Sequence, residues 1–431
     1  MRIDAMTMVQ AFCLAACLVG IVYHLLGMLA ARRFRSQRQG RGWTPPVSIL
    51  KPVRGADPEA LANFLSFCDQ EYPEFEVLFG VQDPVDPVIP VVRELQRLRP
   101  GRAIQLVVDD HRIGSNLKVC NLHNLMQHAR HDVIVLADSD VRVGPDFLAR
   151  VVAPLAQPEV GLVTCPYNAV SLGSLPAAFE ALSIGTAFLP GVFFAVDFGR
   201  VDFAFGAAIA LRREVLDEIG GFRAIADYLA DDFQLGNRVA AQGYRVVVST
   251  CVVETVTPNA GWRSTLQRLL RWARTVRICR PRGYLASLFT HSTLAGLAYL
   301  IATQFSAAGW LVFAAQQATR WSAAWYVALV SLGHGELRRW LWLLPASDLL
   351  SIGLWGASWF GNTVTWRGVR FRLVDGGRMI PVGPKLGEQG RQKAGDEPLA
   401  ATIATEMPSE GTYRSASGQP MKESVHPRRG K

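Results

Sequence analysis

The feature that most constrains the fold of this chain is an apolar run that ends in two carboxylates. Residues 133–141 read VIVLADSDV. The apolar half is too short for a helix and is flanked by polar residues, a pattern typical of a buried parallel strand. Because an apolar sheet does not accommodate aspartates, Asp138 and Asp140 are expected at the carboxyl end of this strand, where open α/β sheets bind their ligands.

The spacing of these two aspartates suits a divalent cation. Residues i and i+2 of an extended chain point the same way, so both carboxylates can face one ion. A hard cation that carries a diphosphate is bound in this manner by one or two carboxylates. Most Asp-x-Asp pairs are solvated turns, and that alternative stays open at this point.

Strand and helix patterns alternate on both sides of this run. Strands are expected at 47–52, 75–83 and 104–109, and helices up to residue 67, at 88–98 and at 121–129. Such alternation predicts an α/β domain with a mostly parallel sheet and right-handed crossovers. The domain covers residues 45–283 and, at about 240 residues, is large enough for one sizeable core.

Asp83 is expected at the carboxyl end of the second strand. The carboxyl ends of parallel strands share one edge of the sheet, so this side chain is expected near Asp138. Two interpretations stay open. Asp83 caps the helix that begins near Val88, or it contacts the ribose or uracil of a nucleotide.

Two further motifs lie in the second half of this domain. Asp231 and Asp232 are adjacent at the expected start of a helix, where acidic residues are common because they complement the helix dipole. Residues 265–277 read as an amphipathic helix with the sequence RLLRW at 268–272. A basic helix at a membrane surface is also common. Neither motif identifies a function on its own.

The chain begins with an expected membrane anchor. Residues 8–31 carry no charged side chain, and about 20 apolar residues suffice to cross a bilayer. Basic residues stay in the cytoplasm, so the segment is expected to run from outside to inside. A cleaved signal peptide fits less well, because its basic residues precede a shorter apolar stretch. The basic cluster that follows the segment is Arg32, Arg33, Arg35, Arg38 and Arg41.

A second apolar block covers residues 285–364. Its better spanning candidates are 285–312 and 341–360, and the piece at 321–332 is a third span or a re-entrant segment. Tryptophans suit the membrane interface, and basic residues after Trp366 indicate a cytoplasmic end. The expected organisation is an anchor at 1–44, a cytoplasmic catalytic domain at 45–283, a membrane region at 284–372 and a disordered cytoplasmic tail at 373–431.

Charge and cysteine content exclude two other functions. The net charge is +9, but much of it lies beside the membrane segments and in the tail, where anionic lipid headgroups explain it. A nucleic-acid partner is therefore not expected. The seven cysteines include no Cys-x-x-Cys pair, and reduced thiols are expected in a cytoplasmic domain. We predict no zinc site.

Four motifs in order carry a family resemblance. With its flanking membrane segments, the domain resembles the ceramide glucosyltransferase family of inverting glycosyltransferases with a GT-A fold. Details at 114–118, 203–207 and 226–232 look most similar to its bacterial branch, which includes the hopanoid-biosynthesis glycosyltransferase of the HpnI type. One departure is an arginine where processive polysaccharide synthases carry glutamine, which argues against such a synthase. The four motifs are Asp83, Asp138-Ser-Asp140, Asp231-Asp232 and Arg268-x-x-Arg271-Trp272.

The resemblance implies roles in donor binding. Asp83 would bind the uridine of a UDP-sugar, and Asp138 its ribose or the metal. Asp140 would hold a Mg²⁺ or Mn²⁺ that bridges the diphosphate, because a cation there neutralises the charge of the leaving group. Lys118 could add positive charge, although as a surface lysine it is otherwise unremarkable.

The resemblance also implies roles in transfer. Asp232 would be the general base that takes the proton of the acceptor hydroxyl, and Asp231 would cap the helix or contact the acceptor. Arg271 would hold the pyrophosphate, because arginine is always charged and binds phosphates with two donors. Arg268 belongs to the same substrate-binding motif, and Trp272 would stack on the acceptor or line its site.

The expected partners are a UDP-sugar, a membrane lipid and the bilayer, at the cell inner membrane. A basic helix beside bilayer spans places the active site where a lipid headgroup presents its hydroxyl. The bacterial likeness favours a hopanoid polyol such as bacteriohopanetetrol with UDP-N-acetylglucosamine. Ceramide with UDP-glucose is the alternative within the same chemistry. A membrane-tethered nucleotide-binding scaffold with structural aspartates is the alternative from another class.

Overall fold

The structure is a computed structural model of the 431-residue chain. It describes residues 5–37, 42–57, 59–199, 201–257 and 260–382. Two arginines of the predicted basic cluster, Arg38 and Arg41, lie outside the described residues, as does the part of the predicted tail beyond Val382.

The helices occur throughout the described chain. They are α1 Ala5–Ser36, α2 Ala60–Cys68, α3 Val88–Leu98, α4 Leu117–Met126, α5 Phe147–Val152, α6 Leu175–Ser183, α7 Leu189–Phe198, α8 Arg213–Glu218, α9 Asp231–Ala241, α10 Trp262–Cys279, α11 Pro281–Ala286, α12 Ser292–Ala302, α13 Ala307–Trp325 and α14 Leu344–Ser358. The helix expected at 121–129 begins earlier, because the Asn116 side chain accepts hydrogen bonds from the amides of Lys118 and Val119 and so caps α4.

The strands form three sheets. They are β1 Val47–Pro52, β2 Phe75–Val81, β3 Ala103–Val108, β4 Val133–Ala137, β5 Val141–Arg142, β6 Val160–Thr164, β7 Tyr167–Val170, β8 Ala208–Arg212, β9 Arg245–Val248, β10 Val253–Val256, β11 Thr363–Trp366, β12 Val369–Val374 and β13 Arg378–Pro381. A seven-stranded sheet has the order β3-β2-β1-β4-β8-β6-β9, and two three-stranded sheets have the orders β5-β10-β7 and β11-β12-β13.

The large sheet confirms the predicted α/β class. Its pairings are parallel except on the two sides of β8. Two hydrophobic core clusters lie on the two faces of this sheet. Alternate residues of one strand pack in different clusters, because successive side chains of a strand point to opposite faces. Leu50 packs in one core cluster and Ile49 in the other, as do Ile134 and Val135 on β4. Helices cover both faces, which explains why every residue of β4 is buried.

The predicted start of a disordered tail at residue 373 is wrong. Residues 363–381 fold into the antiparallel meander β11-β12-β13, in which β12 pairs with both neighbours. Phe371 and Leu373 alternate with exposed arginines along β12 and are buried, together with Val364 and Met379. This period of two is the signature of a half-buried strand.

Among the residues that the structure describes, two helical segments are long and apolar enough to cross a membrane by length and composition. They are Ala5–Ser36, which contains the predicted anchor, and Leu175–Phe198, which was not predicted as a span. A bent pair, Pro281–Thr290 with Ser292–Ala302, meets the same criterion across a 53° bend. The predicted span at 285–312 is thus not one helix. It is interrupted again before α13, where Gln304 and Phe305 adopt positive φ angles.

The apolar helices pack on one another. α1 lies against α7, α12 and α13, and the rings of Phe34 and Phe193 stack with centroids 4.5 Å apart. A buried ion pair joins α13 to α14, with Arg320 Nη2 2.7 Å from Asp348 Oδ1. The same arginine donates to the carbonyl oxygen of Thr186 in the π-helical turn Ile184–Phe188. Elements distant in sequence therefore form one helical bundle.

Candidate active site

Asp138 and Asp140 lie where the large sheet meets the second sheet. Asp138 follows β4 directly, and Asp140 precedes β5. The Lys51 ammonium donates to the carbonyl oxygen of Asp138 at 2.8 Å, and the amide of Val256 on β10 donates to that of Asp140 at 2.8 Å. The loop between the two carboxylates is thereby fixed from both sheets at the carboxyl end of β4.

Lys118 connects this loop to the start of α9. Its Nζ lies 2.7 Å from Asp138 Oδ1 and 3.2 Å from Asp231 Oδ2. The side chain is 17% exposed, so it is not the surface lysine that its sequence context suggested. Burial opposes its charge, but the carboxylates of Asp138, Asp231 and Asp232 raise the pKa of this ammonium. Lys118 therefore stays protonated between acidic groups.

Asp232 differs from its neighbour Asp231. Asp231 is paired with Lys118, whereas Asp232 Oδ1 accepts a hydrogen bond from the amide of Phe233 at 2.8 Å. Burial, and then the charge of Asp231, raise the pKa of Asp232 to about 7. A carboxyl group whose pKa lies near the working pH suits general base catalysis.

Gly206 leaves open space between these groups. A Cβ atom at this position would lie 3.2 Å from Asp232 Oδ2, 3.5 Å from Lys118 Nζ and 3.6 Å from Asp138 Oδ2. Any side chain here would occupy the volume that the two carboxylates and the ammonium face. Within the 203–207 segment, Gly206 therefore lies beside the carboxylates.

The Asp138 and Asp140 side chains fit a divalent cation that retains other ligands. Burial, and then the charge of Asp138, raise the pKa of Asp140 to about 7. Within the described part of the chain, no group of three or more His, Cys, Asp or Glu side chains could hold a metal. Mg²⁺ is commonly held by one or two carboxylates, with substrate phosphates and water completing its coordination.

The arginines of the predicted 268–272 motif have different environments. Arg268 donates through Nε and Nη2 to Glu180 Oε2 at 3.0 and 2.6 Å, so it is engaged by α6. The Arg271 guanidinium makes no hydrogen bond or ion pair with the described residues, and burial, then the charge of Arg268, lower its pKa to about 10. Trp272 is partly buried against the core. Arg271 is thus the arginine of the motif that remains available to an anion.

Asp83 lies at the end of β2 in an exposed turn. Its Oδ1 accepts a hydrogen bond from the amide of Val85 at 3.0 Å. The interpretation of Asp83 as the helix cap is wrong, because Asp86 accepts the hydrogen bond from Val88, the first amide of α3, at 2.9 Å. Asp83 is two strands away from β4 in the sheet order.

Two cations near the carboxylates were missed by the sequence analysis. Lys51 is fully buried, with its Nζ 3.7 Å from the centre of the Phe67 ring, and burial lowers its pKa to about 7. The sequence signal that could have identified Lys51 is a lysine within an otherwise apolar strand. Arg367 lies in the tight turn between β11 and β12 at a φ of 49°. Burial, and then the charge of Arg54, lower the pKa of Arg367, while the charge of Asp138 opposes this. Only tertiary folding brings Arg367 to this site.

The mostly parallel sheet with helices on both faces is the GT-A fold, which defines a class of glycosyltransferases. The chain belongs to the family described as Glycosyl transferase family 21, which it matches over residues 12–379. Family membership and the mostly parallel sheet together confirm the predicted resemblance.

The sequence identities to individual relatives are low. Ceramide glucosyltransferase 1 of Caenorhabditis elegans is 24% identical over 345 residues, covering 78% of this chain and 73% of the relative. The ceramide glucosyltransferase of Candida albicans is 34% identical over 122 residues, covering 25% of this chain and 22% of the relative. Among solved structures, mannosyltransferase PcManGT of Pyrobaculum calidifontis, in complex with GDP-Man and Mn²⁺, is similar at a TM-score of 0.47 and 21% identity, covering 80% of this chain and 98% of that one.

Proposed function

We propose that this glycosyltransferase moves a sugar from a UDP-sugar to a hydroxyl group of a membrane lipid, with inversion at the anomeric carbon. The observation that carries the proposal is the arrangement at the end of β4. A carboxylate pair suited to a cation lies beside Asp232, whose pKa is near 7, with Lys118 between them. This combination provides a leaving-group site and a base in one place.

Donor binding would use the cationic side of the site. Mg²⁺ or Mn²⁺ held by Asp138 and Asp140 would supply neutralisation of the diphosphate leaving group. Arg271 is unpaired among the described residues and partly enclosed, so it would bind phosphate oxygens with two donors. Asp83, exposed at the end of β2, would contact the uridine.

Transfer would use Asp232 as the base. Its Oδ1 is engaged by the Phe233 amide, whereas Oδ2 faces the space at Gly206 and has no hydrogen bond to the described residues. Oδ2 would therefore take the proton of the acceptor hydroxyl as its oxygen attacks the anomeric carbon. Asp231 is neutralised by Lys118 and is unsuited to act as a nucleophile. One carboxylate base without a carboxylate nucleophile gives inversion in a single displacement.

The acceptor is proposed to be a lipid because apolar helices adjoin the catalytic domain. Two segments are apolar enough to cross a membrane, and relatives over most of their length bear the name ceramide glucosyltransferase. That name favours ceramide with glucose as the transferred sugar. The sequence details favour bacteriohopanetetrol with N-acetylglucosamine. The catalytic domain is proposed to face the cytoplasm at the inner membrane.

The decisive experiment identifies the products formed with each of two combinations of sugar donor and lipid acceptor. Purified full-length protein in lipid nanodiscs is given UDP-glucose with ceramide, or UDP-N-acetylglucosamine with bacteriohopanetetrol, and products are identified by mass spectrometry with UDP release in parallel. We expect lipid-dependent UDP release and a β-linked glycolipid in one reaction. The same reactions are run with Asp232→Asn. Its matched control is Asp217→Asn, a change at an exposed position on α8. Transfer to neither lipid, with UDP release unaffected by lipid, would refute a lipid acceptor.

A further inference from the structure

The segment that leads into the two adjacent carboxylates is held on one side by the start of α4. This segment, residues 226–230, is called the 226–230 loop. The amide of Asn116 donates to the carbonyl oxygen of Ala226 at 2.8 Å, and the Asn116 side chain donates to that of Tyr228 at 2.8 Å. The amide of Ser115 donates to Asp227 Oδ1 at 2.9 Å. Because Asn116 also caps α4, the loop is tied to the helix that carries Lys118.

The other side of the 226–230 loop is held by the C-terminal meander. The amide of Met379 donates to the carbonyl oxygen of Asp227 at 2.7 Å, and the amide of Leu229 donates to that of Gly377 at 3.1 Å. Tyr228 and Arg378 form an antiparallel bridge. The loop is thus paired, residue by residue, with a segment about 150 positions later in the chain.

A side chain of α9 completes this contact. The Gln234 amide group donates to the carbonyl oxygen of Gly376 at 2.7 Å, and Gln234 is 9% exposed. Gly376 and Gly377 adopt φ angles of 69° and 86°, a backbone conformation that favours glycine. Because both carbonyl groups turn towards α9 and the loop, the glycine pair is required for this geometry.

The meander itself is anchored on α10. Arg274 donates to the carbonyl oxygens of Thr363 and Phe360, and Arg277 donates to the side chain of Asn362. Since α10 also carries Arg271, one rigid unit connects the anion-binding arginine, the meander and the loop that ends at Asp231.

We propose that the meander at 363–381 is a positioning element of the active site, which holds the 226–230 loop and α9 so that Asp232 Oδ2 faces the acceptor hydroxyl. This inference rests on the proposed function, because it assigns the meander a part in the same transfer. It predicts that loosening the contact lowers turnover while the donor still binds, since Asp138 and Asp140 lie between β4 and β5, outside this contact.

The test replaces the Gln234 contact without removing the meander. In Gln234→Met, we expect kcat to fall about 10-fold, because even a misplacement of about 1 Å can cost about 10²-fold in rate, while the KM for UDP-sugar changes less than about two-fold. The matched control is Gln242→Met, at an exposed position just beyond the other end of α9. A wild-type kcat in Gln234→Met, or an equal loss in Gln242→Met, would overturn the proposal.

A second measurement is independent of activity. Hydrogen exchange of amides 227–234 is followed in the full-length chain, in Gln234→Met and in truncations after Val382 and after Asn362. We expect wild-type protection after truncation at Val382 and faster exchange in the other two variants. Unchanged protection in both would overturn the proposal. A wild-type chain that shows this exchange pattern but no transfer would refute the proposed function and leave the structural contact intact.

Discussion

Asp231 and Asp232 are neighbours in sequence, yet single-residue changes at these positions are expected to have different effects. We predict that Asp232→Asn still binds UDP-sugar but loses about 10²- to 10⁴-fold in kcat, because an amide cannot act as a general base. Asp231→Asn removes an ion pair with Lys118 and is expected to be milder. Donor affinity and turnover of both variants check this. If Asp231→Asn were inactive and Asp232→Asn nearly normal, the general base would be Asp231.

A second prediction at this scale concerns the metal. Asp140→Asn removes one of the two carboxylates that face the proposed cation, so Mg²⁺ or Mn²⁺ affinity is expected to fall together with turnover. Calorimetric titration of the metal in the presence of UDP measures the metal affinity, and the rate of product formation measures turnover. Asp146→Asn, at a partly exposed position before α5, is the matched control. Full wild-type activity in excess EDTA would contradict the metal assignment.

Sequence reasoning named the carboxylates and Lys118 but not Lys51 or Arg367. Asp138 and Asp140 were predictable because an apolar strand that ends in acids is a local pattern. For Lys118 the sequence left a surface lysine open as the alternative, since its pairing with Asp138 and Asp231 depends on the packing of α4 against two other segments. Lys51 was passed over because its burial against Phe67 is visible only in three dimensions.

Among the elements, the ion pair between α13 and α14 makes a testable contribution. Arg320 and Asp348 are 6% and 13% exposed, and Thr293 donates to Asp348 as well. Arg320→Met leaves a buried carboxylate uncompensated, so we predict a loss of about 3–5 kcal/mol in stability. The double variant Arg320→Met with Asp348→Leu is expected to recover much of it. Thermal or denaturant unfolding in detergent measures both, and a stable single variant would contradict the prediction.

Helix and strand assignments in the catalytic domain succeeded where the apolar pattern was local. The same reasoning did not identify Leu175–Phe198 as a segment long and apolar enough to cross a membrane, because its apolar residues lie inside a stretch otherwise typical of a globular domain. It also failed for the meander, which it divided between the membrane region at 284–372 and the tail at 373–431. Phe371 and Leu373 become buried only when β12 pairs with β11 and β13 and the sheet contacts α10.

For the whole molecule, the meander bears on topology. Because its backbone pairs with the 226–230 loop, residues 363–381 must lie on the same side of a membrane as the catalytic site. We predict that reporters fused after Lys431 and within the catalytic domain are both active in the cytoplasm, in agreement with the arginines beside the spans. A reporter fused before Met1 is expected outside. A C-terminal reporter active only outside would contradict this orientation.

The packing of the first helix against the last ones has a consequence for biosynthesis. The Gln10 side chain donates to the carbonyl oxygen of Ala302, and His24 shares a hydrogen bond with Ser292, contacts that span 292 and 268 positions. At typical translation rates of about 5–20 residues per second, α1 would wait roughly 15–60 s in the bilayer before its partners are made. During that interval its polar groups lack their final contacts. The nascent chain would then bind chaperones that shield unassembled membrane helices. For the same reason, α1 supplied as a separate peptide would be able to associate with the rest of the chain after synthesis.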